Sequence, residues 1–342
     1  MLALNYPAFD RLEMTELPVP EPAAGEVRLR VAACGLCGSE LETFQTKSLR
    51  RQPPLVMGHE FCGVVDAIGE GVTGVSPGGR YVSNAVVACG ECRRCRRGDT
   101  HLCGRRQVFG MHRPGAFAEY VCVPATVLIP WPESLPAAAA CLAEPLGNGV
   151  HVARLTAAFP AEQVLVIGAG PIGLMCQQAL QALRGSRTMV TDVSAGRLAV
   201  ASRLGAERTV RAGGGDVVAE ALAWTEGDGV DLVIDAAGSA VTKQLSLDAL
   251  RPGGAAVWIG LHGDRLELSS YAITLPEKHV LGTYAAKQDD LAEAVRLMVE
   301  GRVDVSSWVE TRPLARGVEL FQRMLKPGET DLKAVICPEF NV

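Results

Sequence analysis

The sequence predicts an α/β protein made of a mostly β domain and a doubly wound parallel-sheet domain. Two observations carry this. Up to about residue 123 the apolar residues come in short or alternating runs broken by Gly and Pro, the mark of a β domain. From about Val150 the period changes, and strand-like segments alternate with helical ones, as a parallel sheet requires.

The elements follow in order. GEVRLRVAA, FCGVVDAIG and AFAEYVCV are the strand-like runs of the first part. The second part carries six: 163–168 (QVLVIG), 188–192 (TMVTD), 207–212 (ERTVRA), 231–238 (DLVIDAAG), 255–261 (AAVWIGL) and 279–285 (HVLGTYA). Helical stretches such as GLMCQQALQALRG and AGRLAVASRLGA lie between them. After Gln288, DDLAEAVRLMVEGRV has helical spacing and AVICPEF reads as a last strand. No internal repeat or low-complexity tract interrupts the chain.

Composition narrows the partners. The 342 residues are 48% apolar, enough for ordinary cores, and two domains are expected at this length. The 33 basic and 38 acidic residues are mixed along the chain, for a net charge of −5. Neither a nucleic acid nor an anionic membrane is suggested as partner. The start, MLALNYPAFDRLEM, lacks a basic segment followed by a long apolar run, and no window reaches the roughly 18 apolar residues of a membrane span. A cytoplasmic location is therefore expected.

In a reducing compartment clustered thiols more often bind metal or act in catalysis than form disulfides. Of eleven cysteines, Cys89, Cys92, Cys95 and Cys103 share one short Gly- and Arg-rich segment, ACGECRRCRRGDTHLC. Four thiolates at this spacing suit a closed tetrahedral structural zinc site. Arg93, Arg94, Arg96 and Arg97 would offset its net negative charge. Cys62, Cys122, Cys141, Cys176 and Cys337 sit among apolar or small residues and read as buried small hydrophobes. Cys34 and Cys37, in CGLCGSELETF, stay open at this point between a disulfide, half a metal clip and a site with one working thiol.

Gly168-Ala-Gly-Pro-Ile-Gly173 follows a buried strand and opens a helix, and Asp192 ends the next strand, 19 residues beyond Gly173. Glycines permit a tight turn and close approach of the backbone to a pyrophosphate, while the helix start supplies N–H donors. Gly168, Gly170, Pro171, Ile172 and Gly173 are thus candidate dinucleotide-binding residues. A carboxylate at Asp192 accepts ribose hydroxyls and repels a 2′-phosphate, which favours NAD over NADP. Arg197, five residues on, could bind that phosphate, stack on adenine or stay solvated.

CGLCGSE, GHEFCGVV, the four-cysteine loop, GAFAEYV, AEPLGNGVH and GAGPIG, in this order, resemble the zinc-containing medium-chain dehydrogenase/reductase family, and within it the polyol, sorbitol and threonine dehydrogenase branch. The likeness covers nearly the whole chain. It implies a GroES-like catalytic domain (1–147 and 286–342) interrupted by a Rossmann domain (148–285), an active site in the cleft between them, two zinc ions per chain, and a homodimer or homotetramer.

Carried over by position, the resemblance places Cys37 and His59 as ligands of a catalytic zinc, with Glu60 as a third ligand or as a group orienting one. His59 and Glu60 can share one metal only if the backbone bends between them. Glu144 falls where this branch carries a glutamate, either on zinc or hydrogen-bonded to water or a substrate hydroxyl. Ser39 falls where the alcohol proton is accepted and passed toward the nicotinamide ribose. Ala237, Gly260, Leu261 and Thr283 fall at further cofactor positions. Phe44, Phe109, Leu261 and Tyr284 are expected pocket walls, and Cys34 a buried neighbour.

Two departures stand out. Glu40 replaces the usual aspartate, and Glu42 replaces a histidine that ends the proton relay in many relatives. Glu42 could relay protons, bind a polar substrate group or face solvent. The implied reaction is the reversible oxidation of a secondary alcohol of a polyol, sugar, sugar phosphate or aminocyclitol. A threonine-type or other hydroxy-acid dehydrogenase is the alternative, and a non-catalytic NAD-binding or sensor protein is the alternative of another class. For a phosphate, Arg50 and Arg51 are the candidate cations.

Overall fold

The computed structural model of the chain describes residues 1–328 and 331–338. They form two compact units. One comprises Met1–Gly147, Ala286–Gly301 and the chain from Val305 on; the other comprises Asn148–Ala285 with Arg302–Asp304.

The first unit is built around strand Glu26–Leu36, whose exposure alternates along most of its length and whose last four residues are all buried. It lies inside a seven-stranded sheet, paired antiparallel with Glu60–Ile68, with Tyr120–Pro124 and with Lys333–Cys337. The apolar core gathers Tyr6, Phe61, Phe109 and Phe117 with Phe321 and Ile336, so residues from both ends of the chain close one core. The pairing of Lys333–Cys337 with Glu26–Leu36 explains why the C-terminal segment belongs to this unit. Glu339 and Phe340, which end the expected last strand, lie outside the described residues.

Register decides what meets at the end of this sheet. Gly35 stands opposite Glu60 on one side and opposite Val335 on the other. Cys37 lies two residues beyond Gly35, His59 one residue before Glu60, and Lys333 two residues before Val335. Groups almost 300 positions apart in sequence are therefore delivered to one edge by backbone hydrogen bonding.

The second unit holds six parallel strands: Gln163–Ile167, Arg187–Asp192, Arg208–Arg211, Val230–Asp235, Leu250–Trp258 and His279–Gly282. Counted in chain order, they lie in the spatial order 3-2-1-4-5-6, the doubly wound arrangement. Val164, Leu165, Val166, Leu232, Val233 and Ile234 are fully buried, as strands covered on both faces must be. Two strands stop one residue before their apolar letters do, at Ile167 and Arg211, and three stop well before, at Asp235, Trp258 and Gly282 instead of 238, 261 and 285. The apolar letters continue past the strand ends because residues 236–238 and 259–261 pack against each other as loops: a Cβ on Gly238 or Gly260 would lie within 3 Å of the other segment's backbone.

Candidate metal and cofactor sites

Four thiols of the first unit converge as a group. Cys92 and Cys95 Sγ are 3.4 Å apart, Cys89 and Cys103 3.4 Å, Cys89 and Cys95 3.8 Å, and Cys92 and Cys103 3.9 Å. A tetrahedron with Zn–S of about 2.3 Å has edges of about 3.8 Å, so the spacing fits a zinc ion closed by four sulfurs. All four cysteines are free of disulfides. Backbone N–H groups, first that of Glu91, pull the Cys89 thiol down to about 6, whereas burial pushes the neighbouring Cys95 thiol up to about 12. Arg105 donates to Cys89 Sγ at 3.3 Å and pairs with Glu91. The guanidinium on the sulfur is thus that of Arg105, outside the run of four arginines named from sequence.

The second cluster forms at the end of the large sheet. Helix Gly38–Thr46 starts directly after strand Glu26–Leu36, with Cys37 as its N-cap in extended conformation, φ −90° and ψ 146°. Glu40, in the first turn and fully buried, ties the cluster together. Its Oε2 accepts the Cys37 N–H at 3.0 Å, and its Oε1 accepts the Gly58 N–H at 2.9 Å and meets His59 Nδ1 at 2.8 Å. A carboxylate on Nδ1 leaves Nε2 for a metal, the usual way such a ligand is oriented.

The bend required between His59 and Glu60 is present. Strand Glu60–Ile68 begins only at Glu60, and Gly58 before it has φ +101°. A Cβ on Gly58 would meet Phe117 and the Cys34 sulfur within 3 Å, so MGHE needs its glycine for both conformation and space. Donor atoms of Cys37, His59 and Glu60 come within 4.8 Å of one another. Thiolate, imidazole and carboxylate form a donor set that suits zinc with a fourth position left over. Burial opposes charge on His59, yet the Glu40 carboxylate and then Cys37 push its imidazole well above the usual range.

In the second unit the glycine segment forms a cradle. Gly168 has φ +96°, Gly170 caps helix Pro171–Arg184, and Pro171 fills its first turn. A Cβ on Gly173 would lie 1.8 Å from the Gly168 carbonyl oxygen, whereas one on Gly170 would meet nothing within 4 Å. Gly173 is therefore spent on helix–strand packing, and Gly170 faces open space where a diphosphate can approach. Asp192 Oδ2 accepts the Ala169 N–H at 2.7 Å and Oδ1 the Ser194 N–H at 2.8 Å. Ala237 and Gly260 lie side by side beyond the strand ends, held by Asp235 Oδ1, which accepts the N–H groups of Ala237 and Gly238.

Residues 23–133 match the family described as Alcohol dehydrogenase GroES-like domain, and residues 171–300 match the one described as Zinc-binding dehydrogenase. The chain belongs to the zinc-containing medium-chain dehydrogenase/reductase family. It is 33% identical over 306 residues to an L-threonine 3-dehydrogenase of Chelativorans sp. (strain BNC1), covering 88% of each chain. Among solved structures it is similar to a putative zinc-binding dehydrogenase of Sinorhizobium meliloti 1021 bound to NADP, with a TM-score of 0.90, 30% identity and coverage of 98% and 99%. It is also similar to galactitol-1-phosphate dehydrogenase of Escherichia coli, with a TM-score of 0.89, 27% identity and coverage of 99% and 100%.

In this zinc-containing dehydrogenase the remaining expected residues are distributed unevenly. Glu144 opens helix Ala143–Leu155, is 8% exposed, and stands outside the Cys37, His59, Glu60 set. Burial raises its carboxyl to about 7. Ser39 is half-buried, and its Oγ lies 3.4 Å from Cys37 Sγ. Arg197 sits half-buried in the first turn of helix Ala195–Arg203. Leu261 is 67% exposed, and Thr283 and Tyr284 follow the sixth strand of the second unit. Cys34 is fully buried and its thiol pushed well up by burial, as a neighbour and not a ligand.

Two expectations need correction, those for Phe109 and Arg51. Phe109 is 0% exposed, with its ring edge-on to Phe61 at 5.3 Å, so it belongs to the core and lines no pocket. Phe44 is half-buried, with one side of its ring against Tyr6 and Phe321 at 5.9 and 5.3 Å. Arg51 is 2% exposed and committed to internal acceptors, which removes it as a phosphate ligand; Arg50 is exposed. Glu42 projects from helix Gly38–Thr46 into solvent, the third of the readings left open for it. Lys333 was missed, because a lone lysine before an apolar run carries no signal until the strand pairing is known.

Proposed function

We propose that the protein oxidises, reversibly, a secondary alcohol of a small polar substrate with NAD as hydride acceptor, the substrate being a polyol, sugar, sugar phosphate or aminocyclitol. The observation that carries this reading is the buried Cys37, His59 and Glu60 set, organised by Glu40, in a chain that also has the glycine cradle at Gly168–Gly173. Zinc, when bound there, supplies Lewis acidity to the substrate oxygen, and the nicotinamide takes the hydride.

The chain's own residues do the rest. Cys37 and His59 hold the metal, with Glu60 as third ligand or as a group that exchanges with one. Glu40 keeps the His59 ring in the metal-binding tautomer. Ser39 accepts the substrate's hydroxyl proton. Glu144, whose carboxyl is raised by burial, hydrogen-bonds a substrate hydroxyl instead of binding metal. The four-cysteine loop holds a second, closed zinc that stabilises its own segment.

Asp192 supports NAD, since a fixed carboxylate at the end of the second strand repels a 2′-phosphate. A β-hydroxy amino acid is the second reading, favoured by the 33% identity to a threonine dehydrogenase. Assembly as a homodimer or homotetramer fits the edge strand His279–Gly282 and the exposed Leu261, Tyr271 and Leu275 in the same unit. A panel of polyols, sugars, sugar phosphates, aminocyclitols and L-threonine, each with NAD and with NADP, tests the proposal. Reduction of NAD by one hydroxylated class is expected; no reduction of either cofactor by any of them overturns it.

A further inference from the structure

Arg51 is 2% exposed, and its partners are all neutral. Its Nε donates to the Gly110 carbonyl at 2.9 Å, Nη1 to the Ser39 carbonyl at 2.9 Å and to Thr43 Oγ1 at 3.0 Å, and Nη2 to Ser39 Oγ at 3.0 Å. Among the described residues no carboxylate forms an ion pair with it. Glu40 feels its charge but is bonded to Cys37, Gly58 and His59. A buried guanidinium is costly, and helix attachment alone needs only the contacts to Gly110, Thr43 and the Ser39 carbonyl. The contact to Ser39 Oγ bears on the hydroxyl itself.

Resting on the function proposed above, we propose that Arg51 is a positioning residue that sets the direction of the Ser39 hydroxyl and so its capacity to take the substrate proton. A serine hydroxyl has one O–H and two lone pairs, and arginine has donors only. Arg51 therefore occupies one lone pair permanently and turns the Ser39 O–H away from itself, toward Cys37 Sγ at 3.4 Å. One lone pair remains, and it is the place for a substrate hydroxyl to donate. In the transfer the substrate O–H bond breaks and a Ser39 Oγ–H bond forms. The original Ser39 O–H turns from Cys37 Sγ to a water of the open site, its bond breaks, and that water carries the proton to solvent. The always-charged guanidinium opposes accumulation of positive charge on the serine at that moment. Without it both lone pairs are free and the hydroxyl rotates among competing partners.

A double-mutant cycle tests this, using Arg51→Met, Arg51→Lys, Ser39→Ala and their combinations. Arg51→Met should lower kcat about tenfold or more while KM stays within about threefold, with Arg51→Lys partly rescuing it. In the Ser39→Ala background the Arg51 substitutions should cause no further loss of kcat, because the group they act through is gone. Zinc content and NADH binding followed by fluorescence in Arg51→Lys should match those of the parent, while its thermal midpoint falls because lysine cannot make all four contacts. Losses that multiply across the cycle, or a loss that falls on KM and zinc content, would overturn the proposal. If Arg51→Met does not fold, the cycle with Arg51→Lys decides. A parent protein inactive on every alcohol tested defeats the functional reading itself, and an active parent with a multiplicative cycle defeats only this inference.

Discussion

Lys333 Nζ lies in ion contact with Glu60 Oε2 at the end of the large sheet, and only 2% of each side chain is exposed. Nζ also donates to the Leu36 carbonyl at 2.9 Å. Burial alone would pull the lysine down, but Glu60 and then Cys37 hold it above its ordinary value. The pair fixes where the Glu60 carboxylate points.

Lys333→Met strands that carboxylate in the interior. The expected cost is about 3–5 kcal/mol of stability, since removing one partner leaves an uncompensated buried charge. Lys333→Met/Glu60→Gln should recover most of it. Chemical denaturation of the parent and the two variants checks this, and a Lys333→Met variant as stable as the parent contradicts it.

Gly35→Ala should damage one metal site and spare the other. A Cβ there would fall 2.1 Å from Glu60 Oε2 and 3.2 Å from Leu142 Cδ2, and Lys333 prevents Glu60 from swinging away. We expect zinc content to fall from about two ions per chain to about one, the four-cysteine site being retained. Metal analysis showing both ions retained, with full activity, would refute it.

Gly173→Ala should abolish dinucleotide binding, because the new methyl would collide with the Gly168 carbonyl at 1.8 Å and force the helix start away from its strand. Fluorescence titration with NADH measures this. Metal bound at the Cys37, His59 and Glu60 set, on the other unit, should be retained.

Glu144 gives a pH dependence with a definite sign. Burial raises its carboxyl from 4.5 to about 7. Between those values the folded protein holds a proton that the unfolded chain has released, so this group's contribution to stability falls as pH rises across that window. In metal-free protein, Glu144→Gln should gain on the parent from pH 5 to pH 8 by up to about 3 kcal/mol. Unfolding free energies of the two proteins at several pH values check it; a gap that does not change with pH contradicts the assignment.

Much of the architecture could be read along the chain because its signals are local. The six-strand alternation, the glycine turn after Gln163–Ile167 and the four cysteines within residues 89–103 each need only neighbours in sequence. The site at Cys37 was legible only in part. Spacing alone left Cys34 and Cys37 equivalent, and Phe109 was misplaced because an aromatic letter does not say which side of a strand or helix it faces. Phe109 points into the core against Phe61, and Phe44 keeps one side on Tyr6 and Phe321.

The sequence by itself determined the family, the doubly wound sheet and the kinds of ligand present, since these rest on periodicity and short motifs. The tertiary structure decided which groups act on one another. Strand register brings Gly35, Glu60 and Val335 into one row, and thereby sets Lys333 against Glu60 and Glu40 between Cys37 and His59. The fold of the segment after helix Gly38–Thr46 buries Arg51 against Ser39. A one-residue slip in either pairing would turn these side chains to the opposite face, and no local pattern encodes that choice.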